Sequence, residues 1–210
     1  MYSKLQYISQ GNSSEEQYKN ISSALEAGCN WIQLRFKNSD HIEFLKLAIR
    51  VKELCKRYKA ILIINDNVNI AKEIDADGVH LGLTDMSVLE ARKILGDEKI
   101  IGGTANTLTD VILRVKEKCN YIGLGPFRFT NTKQNLSPIL GSEGYKVIMR
   151  ELNANKIVIP VYAIGGITGN DIENIMNTGV FGIAVSGVIT NSSNKQTTIK
   201  QLNSFLYASV

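Results

Sequence analysis

Four stretches of the chain repeat one short pattern: EAGCNWIQL from Glu26, EIDADGVHL from Glu73, KEKCNYIGL from Lys116 and NTGVFGIAV from Asn177. Each ends an amphipathic helix, breaks it with small or polar residues, and runs directly into a short apolar strand. Apolar strands that alternate with helices belong in a parallel sheet covered on both faces. Extending the pattern predicts strands at 5–9, 31–36, 60–65, 78–82, 100–104, 121–125, 158–164 and 182–186. Helices are expected at 14–27, 41–58, 68–74, 87–95, 108–118, 143–152, 169–177 and 195–208. The first of these opens on Ser-Ser-Glu-Glu, a capping hydroxyl followed by negative charge at the positive end of the helix dipole.

Eight strand–helix units with short connections and no Gly/Ser linker fit an α/β chain folded as a single (β/α)8 TIM barrel. An open doubly wound sheet is the alternative, because closure leaves no mark on periodicity. With 210 residues, one barrel domain over 1–210 accounts for the length.

Composition narrows the function. A net charge of +4 without a dense Lys/Arg run gives no basis for a nucleic-acid groove. The N-terminal MYSKLQYISQ lacks the apolar core of a signal peptide, and the longest apolar runs are too short to span a bilayer. Three cysteines, Cys29, Cys55 and Cys119, are odd in number and spaced neither for zinc nor for a disulfide framework. They read as buried thiols of a reducing compartment. The expectation is a soluble, cytoplasmic protein.

In a barrel of this kind the chemistry gathers where strands end and helices begin. The second strand ends in IQLRFK, with Gln33, Arg35 and Lys37 alternating onto one side. The third ends at Asn65 and Asp66, the fourth holds His80 and leads to Asp85, and the fifth ends at Thr104 and Asn106. The sixth opens YIGLGPFRFTNTKQN, a loop of hydroxyls, amides and positive charge with no carboxylate, carrying Thr130, Thr132 and Lys133. The seventh and eighth run into AIGGIT and AVSGVIT. Gly165 and Gly166, and then Val185, Ser186 and Gly187, are suited to bring backbone N–H groups up to a phosphate.

Each residue also has a plainer reading. Arg35 could close an ion pair, Asp66 and Asp85 could cap helices, and His80 could be a hydrogen-bonded core residue. Together, cations beside paired carboxylates suggest a pyrophosphate held partly by the protein and partly through Mg²⁺.

IQLRFK, INDNVNIA, DADGVHLG, GPFRFTNTK, AIGGIT and AVSG, in that order and spacing, resemble the thiamine-phosphate synthase (thiamine-phosphate pyrophosphorylase) family over nearly the whole chain. The resemblance implies a transferase that joins 4-amino-2-methyl-5-hydroxymethylpyrimidine diphosphate to 4-methyl-5-(2-hydroxyethyl)thiazole phosphate, releasing pyrophosphate. It implies diphosphate ligands at Arg35, Lys37, Asn65 and Lys133, with Arg35, Lys37 and Lys133 carrying catalysis. Mg²⁺ carboxylates would be Asp66 and Asp85. Gln33, His80 and Thr104 would surround the pyrimidine, and Thr130, Thr132, Gly166, Val185 and Ser186 would face the thiazole phosphate. The implied partners are these small molecules, with a homo-oligomer allowed and neither nucleic acid nor membrane among them.

The chain departs from the family at Leu83 and Thr84, at Asn67, at Asn106 in place of histidine, at Thr104 in place of serine and at Phe129 in place of proline. Two other readings share the scaffold. A thiazole tautomerase would lack the metal requirement and use a histidine where this chain has Asn106. A non-catalytic phosphometabolite-binding homologue would keep the Gly166–Ser186 cradle and lose the aspartates. Retention of Asp66, Asp85 and Lys133 favours the synthase.

Overall fold

The computed structural model describes residues 2–37, 39–129 and 138–208. Among them, eight parallel strands close into a barrel in sequence order: β1 Leu5–Ile8, β2 Trp31–Leu34, β3 Ile61–Asn65, β4 Gly78–Leu81, β5 Ile100–Ala105, β6 Tyr121–Leu124, β7 Val161–Ile164 and β8 Gly182–Val185. β1 pairs with β8 through Leu5–Ile183, Gln6–Ala184 and Tyr7–Val185, so the sheet has no edge and the open alternative is gone.

Around the barrel run α1 Ser14–Glu26, α2 His41–Tyr58, α3 Val68–Glu73, α4 Val88–Leu95, α5 Leu108–Lys116, α6 Gly141–Ala154, α7 Ile172–Met176, α8 Gly187–Thr190 and α9 Lys195–Leu206. Ser13 caps α1 by accepting from the Glu16 N–H at 3.2 Å, and the Ser87–Glu90 and Thr107–Asp110 pairs box the starts of α4 and α5. Each cap meets backbone donors that the first helical turn leaves unpaired.

The differences from the sequence expectation are local. β7 begins at Val161, after Pro160, because proline has no N–H to give a ladder; Val158, expected inside the strand, is 98% exposed. The helix expected at 169–177 divides into a 3₁₀ turn, Gly169–Asp171, and the short α7.

Strand alternation makes two cores. One lies between sheet and helices, built from residues such as Leu34, Leu62, Ile64, Val79, Ile101 and Ile122. The other fills the barrel: Ile8, Trp31, Ile63, Tyr121, Tyr162 and Ala184. Its aromatic rings meet edge to face, Trp31–Tyr121 and Trp31–Tyr162 both at 5.1 Å between centroids. That packing seals the barrel's lower half and leaves chemistry to the C-terminal ends of the strands. No helix among the described residues is long and apolar enough to cross a membrane.

Candidate active site

At the ends of β2, β3 and β4, two cations meet two carboxylates. Lys37 pairs with Asp66 through Nζ and Oδ2. Arg35 is half-buried; burial pulls its guanidinium below its usual value, while the charge of Asp66 opposes that shift. Asp85 lies against Asp66. Burial first, then hydrogen bonding with Asp66 and its charge, push the Asp85 carboxyl above its ordinary value, while the Gly82 N–H and Lys37 pull the other way. The Gly82 N–H donates to Asp85 Oδ2 at 2.6 Å and fixes that carboxylate from below.

The helix-cap reading of these aspartates fails. Asn67 caps α3, accepting from the Ile70 N–H at 2.9 Å, and Ser87 caps α4. Asp66 instead sits at φ +64°, a left-handed conformation uncommon for a residue other than glycine and concentrated at functional sites. Its N–H donates to the His80 carbonyl at 2.8 Å, which locks the turn against the neighbouring strand.

Two adjacent carboxylates that crowd each other and one lysine form a hard-oxygen donor set. That set suits Mg²⁺, which typically takes one or two protein carboxylates and completes its shell with water and substrate phosphate. Among the described residues no cluster of three or more His, Cys, Asp or Glu stands ready to hold a metal alone, so a metal here would need oxygens from a ligand.

Inside the barrel mouth the predicted Gln33, His80 and Thr104 come together. Gln33 and His80 are buried, and His80 Nε2 lies 3.0 Å from Thr104 Oγ1. Asn65 is paired in register with His80. On the opposite side, Gly165 and Gly166 follow β7 at φ +95° and +68°. A side chain on Gly166 would meet the Phe129 carbonyl at 2.7 Å, so glycine is required there. Ser186 follows β8 and donates to Gln10 Oε1 at 3.2 Å; Val185 is buried beside Tyr7. Thr130, Thr132 and Lys133 lie outside the described residues.

Other contributors escaped the sequence reading. Arg114 of α5, 4% exposed, donates Nε to the Thr104 carbonyl at 3.0 Å and Nη2 to the Gly82 carbonyl at 2.9 Å, so it ties the ends of β4 and β5 together. Asn106, which the sequence reading places at the end of the fifth strand, spends its amide on the Gly125 carbonyl at the root of the β6 loop. Gln6 and Tyr121 extend the polar contacts of His80 into the barrel. Polar side chains at strand positions in LQYI and YIGL were the available signal.

A closed (β/α)8 barrel with cations and paired carboxylates on one side of its C-terminal rim and conformationally special glycines on the other is the architecture of a barrel enzyme that handles anionic ligands. Comparison with known proteins gives that class a family. The family model described as thiamine monophosphate synthase matches residues 5–189. The chain is 61% identical to the thiamine-phosphate synthase of Flavobacterium johnsoniae, covering 100% of this chain and 99% of that one. It is 59% identical to that of Flavobacterium psychrophilum, over 97% of this chain and 98% of the relative. The solved thiamine phosphate pyrophosphorylase of Pyrococcus furiosus superposes with a TM-score of 0.85 at 29% identity, covering 98% of this chain and 96% of that one. The chain belongs to the thiamine monophosphate synthase family and is a transferase.

Proposed function

We propose that this protein joins 4-amino-2-methyl-5-hydroxymethylpyrimidine diphosphate to 4-methyl-5-(2-hydroxyethyl)thiazole phosphate, forming thiamine phosphate and releasing pyrophosphate, with Asp66 and Asp85 as Mg²⁺ ligands. The observation that carries this assignment is the meeting of Asp66 and Asp85 beside Arg35 and Lys37. Two carboxylates pressed together at a cationic rim are unfavourable alone and favourable around a divalent ion bearing phosphate oxygens.

The reaction breaks the bond between the pyrimidine methylene and the diphosphate oxygen, and the thiazole nitrogen forms a new bond to the same carbon. The electron pair of the broken bond leaves with the diphosphate. When bound, Mg²⁺ would neutralise charge growing on the departing oxygens. Arg35 and Lys37 donate hydrogen bonds and charge to the same group. Gln33, His80 and Thr104 hold the pyrimidine ring, whose amino group stabilises the methylene cation. The glycines after β7 and Ser186 after β8 hold the thiazole phosphate. Alignment of two reactants lowers a barrier by up to roughly 7–11 kcal/mol by effective molarity. No general base is required, and Asn106, where a tautomerase would use histidine, is engaged with the Gly125 carbonyl.

Incubation of the purified protein with both substrates and Mg²⁺ tests the reading. Stoichiometric thiamine phosphate and pyrophosphate, both abolished by chelator and restored by Mg²⁺, are expected. Turnover unaffected by chelator would overturn the metal role, and conversion of a thiazole substrate alone would favour the tautomerase.

A further inference from the structure

Five side chains from five strands form one hydrogen-bonded line across the barrel interior. Gln33 Nε2 donates to Gln6 Oε1 at 3.1 Å, and Gln6 Nε2 donates to the Tyr121 hydroxyl at 3.2 Å. That hydroxyl lies 3.1 Å from His80 Nδ1, and His80 Nε2 lies 3.0 Å from Thr104 Oγ1. The line starts among buried amides and ends at a half-buried hydroxyl in the site.

The donors set its direction. Gln33 also approaches the Tyr121 hydroxyl, so that oxygen receives from the two amides and keeps its own proton for His80 Nδ1. A ring nitrogen that accepts cannot carry a proton, so the imidazole hydrogen belongs on Nε2. Nε2–H then donates to Thr104 Oγ1, and the threonine proton is directed to a further acceptor. Burial raises the Tyr121 phenol well above its usual value, which keeps it a neutral donor.

Two glycines make room for this line. A Cβ on Gly102 would lie 2.2 Å from Tyr121 Cζ, and one on Gly123 would lie 3.1 Å from His80 Cε1. The strands IIGGT and YIGLG are therefore shaped around these two rings.

We propose that Gln6 and Tyr121 are positioning residues that hold His80 as its Nε2–H tautomer, so that the Thr104 hydroxyl donates to an unprotonated ring nitrogen of the heterocyclic substrate. The identity of that substrate rests on the function proposed above; the tautomer does not. With Nε2–H filling one lone pair of Thr104 Oγ1, the hydroxyl proton is left for a ring that offers a lone pair there.

Two measurements test it. The chain has only two histidines, His41 and His80, so ¹⁵N-histidine NMR of the intact protein at neutral pH reads the tautomer of His80 directly, whether or not the enzyme turns over. A neutral ring protonated on Nε2 is expected; an Nδ1–H or doubly protonated ring overturns the proposal. Kinetically, Tyr121→Phe, Gln6→Met and Thr104→Val should each raise KM for the pyrimidine diphosphate by about tenfold, the order expected for one lost hydrogen bond, with KM for the thiazole phosphate unchanged. Thr104→Ser, which keeps the hydroxyl, should recover most of what Thr104→Val loses. Tyr121→Phe added to Thr104→Val should cost nothing more, because both remove the same donor. Independent, multiplying losses would reduce Tyr121 to a packing role and overturn the assignment. If substitution at Tyr121 or Gln6 prevents folding, the wild-type NMR spectrum still decides. Absence of synthase turnover together with the Nε2–H ring would fail the function while leaving the tautomer standing.

Discussion

Arg128 grips Asp171 with both arms of its guanidinium, Nη1 to Oδ2 and Nη2 to Oδ1, each at 2.8 Å. The pair joins the loop after β6 to the turn after β7. Nη1 also donates to the Gly166 carbonyl at 3.2 Å, and Asp171 Oδ2 accepts from the Thr168 N–H and hydroxyl at 2.8 and 2.7 Å. The left-handed Gly165–Gly166 segment is thus held from both sides. Arg128→Met should raise KM for the thiazole phosphate on the order of tenfold by loosening a positioning segment, with kcat nearly kept. Arg128→Lys should recover only part, since an ammonium cannot make the two-pronged contact. Steady-state kinetics with each substrate varied separately checks this.

The same pair has a pH signature. Burial raises the Asp171 carboxyl, but hydrogen bonds from Arg128 and Thr168 outweigh it and leave the group below its ordinary value. A carboxylate depressed in the folded state adds stability above its unfolded pKa, near 3.9, and that stability is lost as pH falls through the lower folded value. The Tm gap between wild type and Arg128→Met should therefore be full at neutral pH and close below about pH 4. Thermal melts from pH 7 to 3 provide the check; a gap that widened on acidification would contradict the sign.

Asp66 and Asp85 set another test, in which stability and activity move in opposite directions. Crowding and burial that raise the Asp85 carboxyl mean that its charge opposes folding at neutral pH without a cation. Asp85→Asn should raise the metal-free Tm and reduce kcat/KM by about 10²-fold or more, the size typical of losing one transition-state electrostatic contact. Mg²⁺ with pyrophosphate should raise the Tm of the wild type by mass action and leave Asp85→Asn nearly unmoved. Equal shifts in the two proteins would remove Asp85 from the metal site.

Much of this architecture could be read from periodicity and breaks. The helix expected at 41–58 is α2 residue for residue, because its apolar stripe runs uninterrupted and Asp40 caps it at 2.7 Å from the Glu43 N–H. The strand-end residues Gln33, Arg35, Asp66, His80, Asp85 and Thr104 could be placed together from sequence because a barrel sends those junctions to one face. Gln6 and Tyr121 were not, because their value lies in who stands across the barrel, which sequence order hides: Tyr121 and Gln6 are 115 residues apart. Val158 misled through its apolar side chain, and the proline two places later decided the strand start. Arg114 gave no signal, since a charged residue on an outer helix ordinarily faces water.

That arginine supports a further prediction. Arg114 is buried, and besides the carbonyls of Gly82 and Thr104 it pairs with Glu117 at 2.8 Å. Removing one member of a buried ion pair leaves the other uncompensated, at a cost of about 3–5 kcal/mol. Arg114→Met should lose stability on that scale in a urea titration. It should also depress turnover at permissive temperature, because Gly82 orients Asp85 and Thr104 ends the interior line. A variant with lowered stability and unchanged kcat/KM would show that the clamp is purely structural.

The three cysteines give the last test. Cys29, Cys55 and Cys119 are free and buried, and burial pushes their thiols up to about 11, about 12 and about 12. The thiolate is the reactive form, so at pH 7.5 the native protein should give almost no reaction with an aromatic disulfide reagent over minutes, and three equivalents once denatured. A thiol whose folded pKa lies above its unfolded value of about 8.5 adds stability that is complete below that value and is lost as pH rises toward the folded one. Tm should therefore decline steadily above about pH 8.5, and a triple Cys→Ala variant, although less stable throughout from lost packing, should decline less steeply. Rapid labelling of any thiol in the native protein at pH 7.5 would show that its surroundings open far more readily than their burial implies.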